Sequence, residues 1–91
     1  MAIVWTETAY RDLERLYEFL AAVDPAAAGR QIQALTIAPE TLLTTSAIGQ
    51  ILPQYAPRNV RRLLLARYEM RYEIVGHDVM ILTIWHQREL R

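Results

Sequence analysis

Cysteine and lysine are both missing from this 91-residue chain, and glycine occurs only three times. Without cysteine there is neither a disulfide framework nor a thiolate metal site, and two histidines with no clustered carboxylates give zinc no ligand set. No metal or cofactor is therefore expected. No run approaches the ~20 consecutive apolar residues of a membrane span, and the N-terminus lacks the basic and apolar regions of a secretory signal. The expected setting is the cytoplasm, with no membrane contact. With 53% apolar residues, the chain can bury one modest core, which implies a single domain over residues 1–91.

What is present is arginine. All ten basic residues are arginines, the side chain suited to planar, bidentate contact with carboxylate or phosphate. The formal net charge of zero hides an asymmetry. Residues 1–57 hold three arginines against six acids, a balance of −3; residues 58–91 hold seven arginines against four acids, a balance of +3. The molecule is expected to be electrically two-faced.

Ile3-Val4-Trp5 is a short strand-type run. Thr6 can cap the helix that follows, whose inward stripe is read as Ala9, Leu13, Leu16, Tyr17 and Leu20. Glu7, Arg11, Asp12, Glu14, Arg15 and Glu18 fall on the opposite face and are read as solvated. Asp24-Pro25 stops that helix and starts another, because Asp caps well and proline is tolerated at the first helical position. Ala28, Ile32 and Leu35 form its inward stripe, with Ile37, Leu42 and Leu43 prolonging the pattern. Pro39 should kink or split it near residues 36–39, and regular helix is expected to end near residue 44. Residues 44–57, with Gly49, Pro53 and Pro57, read as a loop long enough to suggest function.

Three strands are expected near residues 60–66, 68–75 and 79–86, with Gly76-His77-Asp78 as the hairpin between the last two. Alternation puts Tyr68, Met70, Tyr72 and Ile74 on one face of the middle strand and Glu69, Arg71, Glu73 and Val75 on the other. In the last strand both Val79, Ile81, Thr83, Trp85 and Met80, Leu82, Ile84, His86 are largely apolar, as in a central strand. Trp5 and Trp85 are read as core anchors. The first strand must return to complete the sheet. The layout is β-α-α-β-β-β, an α+β fold with a helical hairpin packed on a curved antiparallel sheet. A sheet that displays arginines is built to meet something negative. Arg61 and Arg62 point to opposite faces of their strand, so only one of them can share the open face with Arg71. Tyr55, between Pro53 and Pro57, has no apolar periodicity to bury it and is a candidate contact residue.

Trp5-Thr6 with Ala9 and Asp12-Leu13, Pro25 with Ala27-Ala28, Gly49, Val60-Arg61-Arg62-Leu63, Tyr68-Glu69-Met70-Arg71-Tyr72 and Ile84-Trp85-His86-Gln87-Arg88-Glu89 together resemble the RelE/ParE superfamily of bacterial toxins, over essentially the whole chain. The resemblance implies the toxic half of a type II toxin–antitoxin pair, held inactive by a cognate antitoxin in a hetero-oligomer. Two actions occur among such proteins: inhibition of DNA gyrase by ParE-like members, and ribosome-dependent mRNA cleavage by RelE-like members.

Metal-free RNA cleavage needs a base, an acid and cations for the charged phosphorane. If the chain is a nuclease, His86 would transfer the proton and Arg61 and Arg88 would supply charge. The departures favour the gyrase reading. Ribosome-dependent members carry lysines before the sheet and a tyrosine or His-Tyr near the C-terminus, whereas this sequence has no lysine, no tyrosine after Tyr72, and no C-terminal helix expected before Arg91. On that reading no residue is catalytic, and Arg61, Arg62, Arg71, Arg88 and Tyr55 are the expected target-binding residues. Antitoxin capture is expected in the groove between the acidic helix hairpin and the basic sheet, which would accept an amphipathic helix, or along an exposed sheet edge, which would accept an added strand.

Overall fold

The computed structural model describes residues 1–89; Leu90 and Arg91, the latter counted in the basic half above, lie outside them. Strand β1 (Ile3–Trp5) leads into helices α1 (Glu7–Ala21) and α2 (Pro25–Ile37), followed by a 3₁₀ helix over Ala38–Leu43. Strands β2 (Gln50–Ile51), β3 (Val60–Leu65), β4 (Tyr68–Val75) and β5 (Asp78–His86) complete an α+β fold. The five strands form one sheet in the order β1-β5-β4-β3-β2. The sheet is mixed, because β1 runs parallel to β5 while every other pair is antiparallel. A parallel neighbour requires a long crossover, and the helical hairpin supplies part of it. Among the described residues, no helix is long and apolar enough to cross a membrane.

Both caps act as their residue types dictate. The Thr6 hydroxyl accepts from the Ala9 N–H at 3.2 Å, and the Asp24 carboxylate accepts from the Ala27 N–H at 3.1 Å, with Pro25 in the first turn. Such caps are worth about 1 kcal/mol each. Regular α-helix stops at Ile37, not near residue 44, and the chain tightens to 3₁₀ geometry where Pro39 enters. Leu42 still reaches the core, but the tighter winding leaves Ile37 and Leu43 exposed. The expected loop over 44–57 contains two short 3₁₀ turns and strand β2.

Helix α1 lies against β5, and α2 packs on α1. The core joins Ala9, Leu13 and Leu16 of α1, Leu35 and Leu42, Tyr68, Met70 and Tyr72 of β4, and Val79, Ile81 and Ile84 of β5. Burying each of the larger side chains contributes about 1.5–3 kcal/mol. The inner face of β4 is therefore the one that alternation implies. Tyr17 is not part of it, being 44% exposed.

Strand β5 departs from simple alternation. Its pairing with β4 shifts between Arg71 and Tyr72: Arg71 faces Thr83, but Tyr72 faces Ile81, so Leu82 is the extra residue of a bulge. Beyond the bulge the phase reverses. Ile84 and His86 point into the core side, and Trp85 shares the opposite face with its partner Glu69. Trp85 is thus not the core anchor expected from the sequence.

The short length of β1 explains why Asp12 is buried and Arg15 is drawn toward the sheet. Since β1 ends at Trp5, the edge of β5 beyond Ile81 has lost its strand partner, and side chains of α1 take over. Thr6 Oγ1 donates to the Ile81 carbonyl at 2.7 Å. The Asp12 carboxylate, 6% exposed, accepts from the Thr83 hydroxyl at 2.6 Å and the Ile84 N–H at 3.0 Å. Arg15 pairs with Asp12 and with Glu89, and donates to the Ile84 carbonyl at 3.1 Å. The hydrogen bonds that Arg15 donates to Glu89 raise its pKa, outweighing the burial that works against its charge. One helix face thereby closes a sheet edge that would otherwise leave buried backbone groups unpaired.

Candidate recognition surface on the open sheet face

Strands β3 and β4 bring Arg62 and Arg71 directly opposite one another. Like charges in that position are destabilising, and here a buried carboxylate lies between them. Glu69, two residues before Arg71 and on the same face, accepts from Arg71 Nε at 3.1 Å and lies 3.7 Å from Arg62 Nη1. Arg71 Nη1 also donates to the Tyr55 hydroxyl at 3.0 Å, and its guanidinium sits 5.0 Å from the centroid of the Trp85 ring. Desolvation works against the Arg71 charge, but Glu69 and Tyr55 outweigh it and raise its pKa.

Arg58 extends the same pattern. Its Nε and Nη2 donate to the two Glu73 oxygens at 3.1 and 2.8 Å, and its guanidinium lies 5.9 Å from the Tyr55 ring centroid. The Arg58 hydrogen bonds hold the Glu73 carboxyl below its usual range. Arg62 Nε donates to the Gln50 side chain of β2 at 3.1 Å. The vertical order of the charges matters. The Glu69 and Glu73 side chains are 11% and 16% exposed, whereas those of Arg62 and Arg58 are 37% and 53% exposed. Carboxylates form the floor and guanidiniums the outer layer, with Tyr55 and Trp85 between them. Such a face can grip an anion with oriented donors, and the rings beneath help to fix the guanidiniums in place.

Of the candidates named from the sequence, Arg62, Arg71 and Tyr55 meet here. Arg61 does not. It shares the inner face with its cross-strand partner, the fully buried Tyr72. Its Nη1 donates to the carbonyls of Ala47 and Gly49 at 3.2 and 2.9 Å, and its Nε to Asn59 Oδ1 at 3.0 Å. Tyr72 grips the same segment, donating to the Ser46 carbonyl at 2.7 Å and accepting from the Gly49 N–H at 2.9 Å. Arg61 and Tyr72 are therefore the clasp that fastens residues 46–49 to the sheet.

His86 is 7% exposed, with its ring 5.6 Å from Phe19 and edge-on to Tyr68 at 5.0 Å. Its Nδ1 accepts from the Arg88 N–H at 3.0 Å, which leaves the ring proton on Nε2 in the neutral form. Burial, followed by the Arg88 charge, pushes its pKa down. The Arg88 side chain is exposed just past the end of β5. His86 and Arg61 do not converge. Their partners Tyr68 and Tyr72 are four residues apart on β4, about 13 Å at the rise of a strand.

Sequence reading missed Arg58 and Trp85 as members of the open face. Both phases of β5 are apolar, so nothing in its pattern marks the bulge. Arg58 precedes its strand, where alternation assigns no face.

A helical hairpin backing one side of such a sheet, with the other side open, is the architecture of the RelE/ParE class of small toxins. The family model of the ParE toxin of the type II toxin–antitoxin system parDE matches residues 3–91, and the chain belongs to that family. Among solved structures, the chromosomal ParDE toxin–antitoxin system from P. aeruginosa contains a chain that is 25% identical and superposes with a TM-score of 0.80, over 94% of this chain and 95% of that one. A search of curated proteins finds no significant match.

Proposed function

We propose that this ParE toxin acts in the bacterial cytoplasm by inhibiting DNA gyrase, that Arg62, Arg71 and Tyr55 of the open face carry target binding, and that a cognate antitoxin holds it inactive. Stabilisation of the plasmid or chromosomal segment encoding the pair is the biological outcome. The observation that carries the reading is the separation of the groups a nuclease would need. His86 is packed against two aromatic rings with Nδ1 engaged, and Arg61 is committed to loop carbonyls. On the open face the exposed groups are guanidiniums, which neither take nor give protons near neutrality. Arg88, exposed at the end of β5, is available to a large partner.

Antitoxin capture has support on the helical side. Tyr10, Leu13, Tyr17 and Ile32 line an open groove of about 490 Å³ flanked by Glu14 and Glu18, a shape that fits the apolar face of an amphipathic helix with basic flanks. The test is to mix antitoxin-free protein with gyrase, ATP and relaxed plasmid, and to measure supercoiling and trapped cleaved DNA. Inhibition reversed by antitoxin is expected. Uninhibited gyrase in the presence of folded protein would shift the reading to mRNA cleavage on the ribosome.

A further inference from the structure

We propose that two adjoining cavities, where α2 passes the β3–β4 hairpin, form one site for a straight-chain carboxylic acid. Arg67, His86 and Tyr68 would hold the carboxylate, and the hydrocarbon chain would lie along Leu35, Ala38 and Leu65. The site is on the helical side of the sheet, away from the open face, and does not depend on what the toxin inhibits.

Three observations lead there. First, the cavities are contiguous but unlike. Gln31, Ala66 and Tyr68 line both. Leu20, Ala27, Arg67 and His86 complete the larger, of about 410 Å³, whereas Ala34, Leu35, Ala38 and Leu65 complete the smaller, of about 270 Å³. A chamber with a few convergent polar groups, opening onto an apolar one, fits a ligand with a charged head and a hydrocarbon tail. Second, two deeply buried side chains present a polar atom to the larger cavity. His86 and Tyr68 are 7% and 5% exposed. Among the described residues no fully buried side-chain nitrogen or oxygen lacks a partner. Neither His86 Nε2 nor the Tyr68 hydroxyl bonds a protein group there, so both open onto the cavity that they line. Burial, then the Arg88 charge, disfavours the cationic form of His86, and Nδ1 is engaged, so Nε2 carries the proton. Burial likewise keeps the Tyr68 phenol protonated. Third, the charge is of one sign. No acidic residue lines either cavity, and among the described residues the Arg67 side chain pairs with no carboxylate. Glu89, close enough to act on Tyr68 and His86, is already paired with Arg15. One guanidinium and two neutral donors suit a monoanion such as a carboxylate, whereas a doubly charged phosphate calls for more cations. An amine would meet no carboxylate, and the α1 groove flanked by Glu14 and Glu18 would repel the acid.

The experiment titrates the purified, isotope-labelled toxin with sodium octanoate and reads amide shifts by NMR alongside calorimetry. Saturable binding with Kd on the order of 10⁻⁴ M is expected. The shifts should gather at Gln31, Ala66, Arg67 and Tyr68 and leave Glu14 and Tyr17 unmoved. Each methylene added between butanoate and octanoate should tighten binding about fourfold. Octanamide, which keeps the chain and drops the charge, should bind about tenfold more weakly. Tyr68→Phe keeps the ring in the core and should weaken octanoate about fivefold. Arg67→Ala, an exposed change that leaves the core intact, should remove most of the preference for octanoate over octanamide. No saturation below about 10⁻² M, equal binding of octanamide, indifference to chain length, or unaltered binding by both folded variants would each overturn the proposal. A peptide acid ending in leucine that binds more tightly than octanoate would give the site to the C-terminus of a partner protein and overturn it too.

Discussion

Replacing Gly49 with alanine should be among the most damaging single-methyl additions in this protein. The backbone there has φ −71° and ψ 152°, which alanine adopts without strain, so the cost is one of space alone. A Cβ built at Gly49 would lie 2.6 Å from the Tyr72 hydroxyl, 2.7 Å from the Arg62 carbonyl and 2.8 Å from Tyr72 Cε1. None of the three can move freely. Tyr72 is fully buried and hydrogen-bonded at both ends of residues 46–49, and the Arg62 carbonyl belongs to β3. Overpacking of this kind costs about 1–3 kcal/mol. Pushing the phenol away breaks its bond to the Gly49 N–H, and a buried donor left unpaired adds about 1–3 kcal/mol. Restricting the unfolded chain returns only about 0.4–1 kcal/mol. The net loss is about 3 kcal/mol, or about 15 °C in Tm for a chain of this size.

Thermal and urea unfolding followed by circular dichroism would measure it, with Gly76→Ala as the comparison. Gly76 has φ +58° and open space around it, so alanine there should cost only about 1 kcal/mol of backbone strain. Adding Tyr72→Phe to Gly49→Ala removes the nearest clash, so the double variant should be more stable than additivity implies, by about 1 kcal/mol. Equal losses for the two glycine variants, or strict additivity with Tyr72→Phe, would refute the packing account.

Asp12→Ala should cost about 3 kcal/mol by chemical denaturation, since it strips the partner from the buried Ile84 N–H and leaves Arg15 half-paired; amide exchange at Ile84 should accelerate with it. Burial and Arg88 hold folded His86 below its ordinary pKa, so as pH falls through about 6.5 the unfolded chain takes up the proton first and stability drops. The loss stops once the folded ring is also protonated. His86→Phe, which keeps a ring against Phe19 and Tyr68, should flatten the Tm profile in that window; an unchanged profile would mean that another group sets it. Leu16→Ala, in the sealed core, should cost about 3 kcal/mol, whereas Trp85→Ala, at a partly buried position on the opposite face, should cost less, about 1–2 kcal/mol. Equal losses by urea titration would place Trp85 back among the core residues.

Much of this fold is legible because its signals are local. Thr6 and Asp24 announce helix starts by the hydrogen bonds their side chains can make three residues on. Pro39 breaks the second helix because it has no N–H to give. Gly76 permits the positive φ of the last hairpin, and the alternation of Tyr68, Met70 and Tyr72 marks the buried face of β4. The site was half legible. Arg71 and Tyr55 stood out as polar groups in places with no packing need, but alternation could not say whether Arg61 or Arg62 faced outward.

The sequence by itself determined the order of the elements, the caps and the break, the inward face of the middle strand and the family. Those follow from backbone sterics, short-range hydrogen bonding and residue patterns that need no distant partner. Only the tertiary structure decided that Arg62 joins Arg71 outside while Arg61 clasps the loop, that Trp85 turns outward, and that Asp12 and Arg15 turn inward. All three depend on which residues oppose one another across strands or between helix and sheet: the register of β3 on β4 assigns the two arginines, one extra residue in β5 reverses its phase, and the early end of β1 leaves a strand edge that α1 must satisfy.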